Sequence, residues 1–153
     1  MFRSRSRGYS LTEMVMVVAV ILILTAAIVP ITRLGVQRQR EMELREDLRV
    51  MRSAIDDFKR LSDQGLIPIE IDTEGYPKSL EVLVKGVQLV GQVSKTRRFL
   101  RKIPIDPMTA KAEWGLRSYQ DEPNSTSWGG QNVYDVYSLS DKTALDKTKY
   151  KDW

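Results

Sequence analysis

The hydrophobic pattern of this chain changes once, and the change divides it. From Met14 to Ile31 the sequence reads MVMVVAVILILTAAIVPI, 18 residues without a charge. As a helix this run would reach roughly 27 Å at about 1.5 Å per residue, slightly less than a bilayer core of about 30 Å. Tyr9 to Leu11 lengthen it a little. Beyond it, Leu44, Leu48, Met51, Ile55 and Phe58 follow one another at spacings of 4, 3, 4 and 3. That is the period of a single helix face. Arg45, Glu46, Asp47, Arg49, Arg52, Asp56 and Asp57 fill the positions between. The stripe predicts packing on a small sheet; two heptads are too few to require a coiled coil. Gly65 and Pro68 mark the end of the helix. The pattern therefore predicts one long helix over about 9–62, interrupted near Pro30, which lacks an N–H and crowds the preceding turn.

The remainder alternates punctuation with short elements. Gly75-Tyr76-Pro77 reads as a turn, and Ser79 as the N-cap of a short helix Leu80–Lys85 ending at Gly86. In FLRKIPIDP (residues 99–107) two prolines three apart predict an ordered, non-helical crossing. Residues 114–120 and 133–140 are rich in aromatic and β-branched side chains and read as two strands. EPNSTSWGG (residues 122–130) reads as a loop between them. Trp114, Trp128, Tyr134 and Tyr137 are most simply core or sheet-surface aromatics, with a sugar-binding platform as the rival. The fold class is α+β: a long N-terminal helix packed on a small C-terminal antiparallel sheet domain.

Charge and composition narrow the function. Lys and Arg number 24 against 20 Asp and Glu, a balance of +4. Arg3, Arg5 and Arg7 carry three of these charges, and without residues 1–8 the balance is +1. The basic character belongs mostly to the N-terminal segment and is no nucleic-acid footprint. The cluster Lys95, Arg97, Arg98, Arg101 and Lys102 interleaves no aromatic beyond Phe99. It reads as a solvated surface or as a salt-bridging surface for an acidic neighbour. There is no cysteine and no histidine, which removes disulfides, the commonest general base and the commonest transition-metal ligand. No nucleophile–base pair, phosphate-binding glycine loop or His cluster suggests an enzyme. Charge counting leaves topology tied, with Arg33, Arg38 and Arg40 after the run balancing the three arginines before it.

Glu13 does not suit a plain membrane anchor. It opens the apolar run, where drawing a carboxylate into lipid costs on the order of 2–3 kcal/mol or more. A secretory signal peptide also fits poorly, because its cleavage site should follow the apolar region. The segment RSRSRG-YSLTE-MVMVVAVI resembles the leader and mature N-terminus of type IV prepilins and type II secretion pseudopilins. That resemblance implies a leader over residues 1–8, cut after Gly8 by a prepilin peptidase that methylates the new N-terminus at Tyr9. It makes Glu13 the fifth mature residue and puts Pro30 where the family usually has proline. Tyr9 replaces the usual Phe. It further implies an assembly role for Glu13, paired with the α-amine of a neighbouring subunit, and a flexible point at Pro30. The resulting division is leader 1–8, transmembrane and assembly helix 9–32, amphipathic continuation 33–62 and globular domain 63–153.

Further along, GYPKSLEVLV, FLRKIPIDP and Asp135-Val136-Tyr137-Ser138-Leu139 resemble segments of the major, or G-type, pseudopilins. The resemblance implies a structural calcium in the following loop, with Asp141 and Asp146 as ligands. Lys142, Lys147, Lys149 and Lys151 depart from the pattern and could pair with the aspartates instead. The implied protein is a single-pass inner-membrane subunit with a periplasmic domain. It would form a homopolymer and meet minor pseudopilins, an inner-membrane assembly platform and the prepilin peptidase, with no nucleic-acid partner. A type IV pilin for adhesion, motility or DNA uptake is the first alternative, and a membrane-anchored binding module the second.

Overall fold

The computed structural model describes residues 10–153, the side chains of 27–33 and 92–95 excepted. The chain divides after Arg38 into two compact units. Helix α1, Leu11–Asp63, contributes to both.

In the first unit the Ser10 carbonyl accepts the first helical bond from Met14 N (3.1 Å). Glu13 lies in the first turn, where a carboxylate complements the exposed N–H groups and the positive end of the helix dipole. Thr25 Oγ1 donates to the Ile21 carbonyl (2.8 Å), so the hydroxyl in the apolar run has a partner within its own helix. Every described side chain from Leu11 to Ala26 is exposed. Among the described residues no helix is long and apolar enough to cross a membrane; the run read from the sequence extends past Ala26 into positions whose side chains lie outside that set. Helical assignment continues through Pro30, so the interruption expected there is not a break in the helix. A proline removes one N–H donor, while the bonds of the flanking turns can persist.

In the second unit the amphipathic stripe becomes the centre of the core. Leu44, Leu48, Met51, Ile55 and Phe58 are all buried. The stripe packs with Leu80 and Leu83 of α2 (Leu80–Lys85), and with Ile67, Leu100, Trp114, Val133, Val136, Ala144 and Tyr150. Most of these partners lie on loops. The domain is α+β as expected, but its strands are short and form two separate antiparallel pairs instead of one sheet. Strands β1 (Val87–Leu89) and β2 (Gln92–Arg97) make a hairpin that the sequence reading missed. Strands β3 (Gly115–Arg117) and β4 (Asp135–Tyr137) pair with Gly115 opposite Tyr137. They are shorter than the expected 114–120 and 133–140 because the flanking backbone bonds to side chains. Ser118 N donates to Asp121 (2.7 Å) and Tyr119 N to Asn132 Oδ1 (3.0 Å). Gly115 has a steric cause, since a Cβ there would run into the Tyr137 ring.

Ser79 stands in extended conformation before α2 without capping a backbone N–H. Its hydroxyl instead bonds the Glu81 side chain, the main reason the Glu81 carboxyl is held below the usual range. Trp114 is buried and its Nε1 donates to the Pro104 carbonyl (3.0 Å). Tyr137 is buried as well, whereas Trp128 and Tyr134 remain exposed at the surface.

Truncating the middle of the stripe tests this core. Ile55→Ala is expected to destabilise the protein by about 2–5 kcal/mol, because Ile55 is completely buried. Urea unfolding followed by tryptophan fluorescence measures it; a loss below about 1 kcal/mol would mean the stripe does not organise the domain.

Candidate functional site: an apolar helix and a clamped segment

The first region is the described part of the N-terminal helix. Leu11 is 84% exposed, and Met16, Leu22 and Ile23 are 64–70% exposed. These residues point in different directions around the helix, so the surface is apolar all round and not a stripe. A helix of that kind needs lipid or neighbouring helices on every side. Glu13 is exposed in its first turn. Gly8 and Tyr9, the expected cleavage and methylation positions, lie outside the described residues. Pro30 lies within α1, and its side chain is outside the described set.

The second region is the chain from Asp135 to Trp153, which polar residues of α1 hold against the helix. Arg52 is the hub. Its Nε donates to Asp135 Oδ1 (2.7 Å) and its Nη2 to Asp135 Oδ2 (3.4 Å), to the Val136 carbonyl (3.1 Å) and to the Trp153 backbone oxygen (2.9 Å). A guanidinium can do this because its donors form a fixed planar fork. Arg117 Nη1 reaches the same carboxylate (3.4 Å) and lies over the Tyr137 ring (4.2 Å). About three turns before Arg52, Glu41 accepts from Leu145 N and from the hydroxyl of buried Tyr150, both at 2.9 Å. Arg45 sits over the Trp153 ring (4.1 Å) and pairs with Asp146 (3.3 Å).

From the sequence, Arg45 and Arg52 are only charged positions between the stripe residues, and Glu41 is not singled out. Their spacings of 4 and 7 put them on one face beside the apolar stripe, and that was the available signal. Nothing local named their partners, which lie about 80–110 positions away.

A third contact joins two segments that the sequence reading treated separately. Asp106, in the stretch with the paired prolines, is fully buried. It accepts from Met108 N and from Ser138 Oγ, each at 2.7 Å. Ser138, just after β4, is also fully buried, so the two segments are locked by a charge-assisted bond in the core.

The two residues expected to hold calcium each have a cationic partner. Asp141 pairs with Lys151 (3.4 Å). Asp146 pairs with Arg45 and accepts from the Thr148 hydroxyl and amide. The hydroxyl bond, then the amide bond, hold its carboxyl below the usual range. The sign follows from linkage: a lowered folded pKa gives stability present above the unfolded value and lost as pH falls through the folded one. Among the described residues no three acidic, His or Cys side chains gather where they could hold a metal. Calcium takes six to eight oxygen ligands, and each of these two carboxylates is in contact with a cationic side chain.

Residues 3–29 match the family model of the prokaryotic N-terminal methylation motif. This is a chain with a prepilin-type N-terminus. The motif implies processing by prepilin peptidase, anchoring through the N-terminal helix and assembly into a filament. The long helix packed against small antiparallel strands is a pilin-like α+β architecture. No curated protein and no solved structure matches the chain.

Two outcomes test the clamp. Arg52→Ala leaves Asp135 with fewer donors and is expected to cost about 1–3 kcal/mol in urea unfolding. Arg52→Lys should recover only part of this, because an ammonium lacks the fork; full recovery would reduce the hub to simple charge. Millimolar calcium is expected to leave Tm unchanged, and a rise that disappears in Asp141→Ala would show that the loop reorganises around the ion.

Proposed function

We propose that this chain is the structural subunit of a membrane-rooted helical filament, specifically the major pseudopilin of a type II secretion system that helps export folded proteins. The observation that carries the filament reading is the helix behind the methylation motif, apolar on all its described faces with Glu13 in its first turn. Before assembly, lipid covers that surface; in the filament, the helices of neighbouring copies cover it.

Cleavage after Gly8 creates an α-amino group on Tyr9. With an ordinary pKa of about 7.7–8.0 it is mostly cationic at neutral pH, and methylation keeps the charge. A new subunit presents this cation to Glu13 of a copy already in place. Either charge alone is costly in an apolar bundle, and pairing offsets that cost. The pair therefore favours one axial register between copies.

The choice of a secretion pseudopilus over a type IV pilus rests on two supports. The chain has no cysteine to close its C-terminal region by a disulfide. Its FLRKIPIDP and DVYSL segments, each similar to major pseudopilin segments, share the Asp106–Ser138 bond.

Mass spectrometry of the mature protein is expected to find an N-terminus at methylated Tyr9, while an intact Met1 would defeat the reading at its first step. Glu13→Ala should be processed normally yet form no filaments when overproduced; filaments of ordinary length from that variant would remove the register role. Deleting the gene should block export of folded proteins and leave surface pili in place. The reverse result would favour the type IV pilus.

A further inference from the structure

One cleft in the globular unit is walled by aromatic rings that the fold leaves at the surface. Tyr119 is 54% exposed and Tyr134 46% exposed, and both line a space of about 380 Å³, within the size range of small-molecule sites. Aromatic side chains mostly serve cores and interfaces, so two of them side by side in an open cleft suggest a ligand. The rings meet edge to face, with centroids 5.4 Å apart and planes at 81°. Tyr76 stacks against Tyr119 (5.8 Å, 19°) but lines a different cavity. Tyr76 therefore backs Tyr119 from one side, and the cleft lies on the other.

The backbone holds both rings in place without using their faces. Tyr119 N donates to Oδ1 of fully buried Asn132 (3.0 Å), and Tyr134 N donates to the Arg117 carbonyl (2.8 Å). Asp121 Oδ2 accepts from Ser118 N (2.7 Å) and Gly129 N (3.1 Å), bonds that hold its carboxyl below the usual range. They pin the loop that carries Glu122 and Pro123 along the cleft.

The charges narrow what could enter. Asp135 is matched by Arg52 and Arg117, and Asp121 is engaged by its two amides. Glu122 is exposed, with no ion-pair partner among the described residues. An anion would face three carboxylates. A cation would share the cleft with the Arg117 guanidinium. A neutral ligand with an apolar face and several hydroxyls meets neither obstacle.

We infer that this cleft is a binding site for a neutral saccharide of flat, equatorially substituted (β-gluco) form. Such a ring carries C–H bonds on its faces and hydroxyls around its rim. A C–H face lies on a tyrosine ring, and rim hydroxyls donate to the ionised Glu122 carboxylate, an acceptor with several open positions. The site uses only residues of the globular unit, so it is independent of the filament reading.

Cellobiose and mannitol are suitable probes, because both are rich in hydroxyls and only cellobiose has a flat ring face. The full chain in phospholipid nanodiscs, carrying labelled tyrosine rings, is titrated with each. Cellobiose is expected to shift the Tyr119 and Tyr134 ring signals saturably and leave buried Tyr150 unmoved, while mannitol shifts none of them. Tyr134→Leu should weaken cellobiose about tenfold, the order of one aromatic contact, because leucine is apolar but has no flat face. Tyr134→Phe should keep most of the affinity. Glu122→Ala should weaken cellobiose about three- to tenfold, the worth of one ordinary hydrogen bond. Glu122→Gln should keep most of the affinity, since an amide oxygen still accepts from a hydroxyl; a site for a cationic amine would lose its ligand in both. No saturable shift with cellobiose overturns the proposal. So do equal shifts with mannitol, unchanged affinity in Tyr134→Leu, or a loss in Glu122→Gln as large as that in Glu122→Ala.

Discussion

The burial of one ribbon of side chains organises the globular unit. Leu44, Leu48, Met51, Ile55 and Phe58 stand in line along α1, and each is removed from water by chain that follows the helix. Burying such side chains is worth about 1.5–3 kcal/mol apiece, while a short two-stranded ladder contributes little by itself. The helix therefore serves as the template, and the strands, loops and α2 are arranged to cover it. This explains how two strand pairs of only a few residues each can belong to an ordered domain.

Polar contacts then fix where the cover lies. Hydrophobic burial is non-directional, so the stripe alone would accept several arrangements of the later chain. Arg52 binds one carboxylate and two backbone oxygens with a single planar group, and Glu41 and Arg45 add bonds farther along the same helix. The Asp106–Ser138 bond does the same in the interior. Most exposed ion pairs on this chain, such as Arg49–Glu46, contribute little to stability. Those around Arg52 differ because they are partly buried and end on groups with few alternative partners.

The N-terminal stretch obeys the opposite constraint. Where the helix of the globular unit has one apolar stripe, residues 11–26 have an apolar surface with no polar face to give to water. Such a surface requires an apolar surround, and lipid and a bundle of identical helices both supply one. Glu13 is the exception that makes the two environments different. On the proposed filament reading it meets the α-amine of a neighbouring copy, which would give the apolar helix a register it otherwise lacks.

The sequence by itself determined the helix, the stripe, the short helix α2 and the N-terminal methylation motif, because each depends on spacing between near neighbours. The exposed apolar run and Glu13 were legible for the same reason. Tertiary structure decided the rest. Only folding shows that the stripe is covered mainly by loops, that Val87–Arg97 forms a hairpin, and that Arg52 reaches residues 135, 136 and 153. It also set Asp141 and Asp146 against Lys151 and Arg45, where the sequence had suggested a shared ion. A charged side chain can choose among many partners of opposite sign, and local sequence does not rank them. The choice is made by which ones the buried stripe brings within about 3 Å.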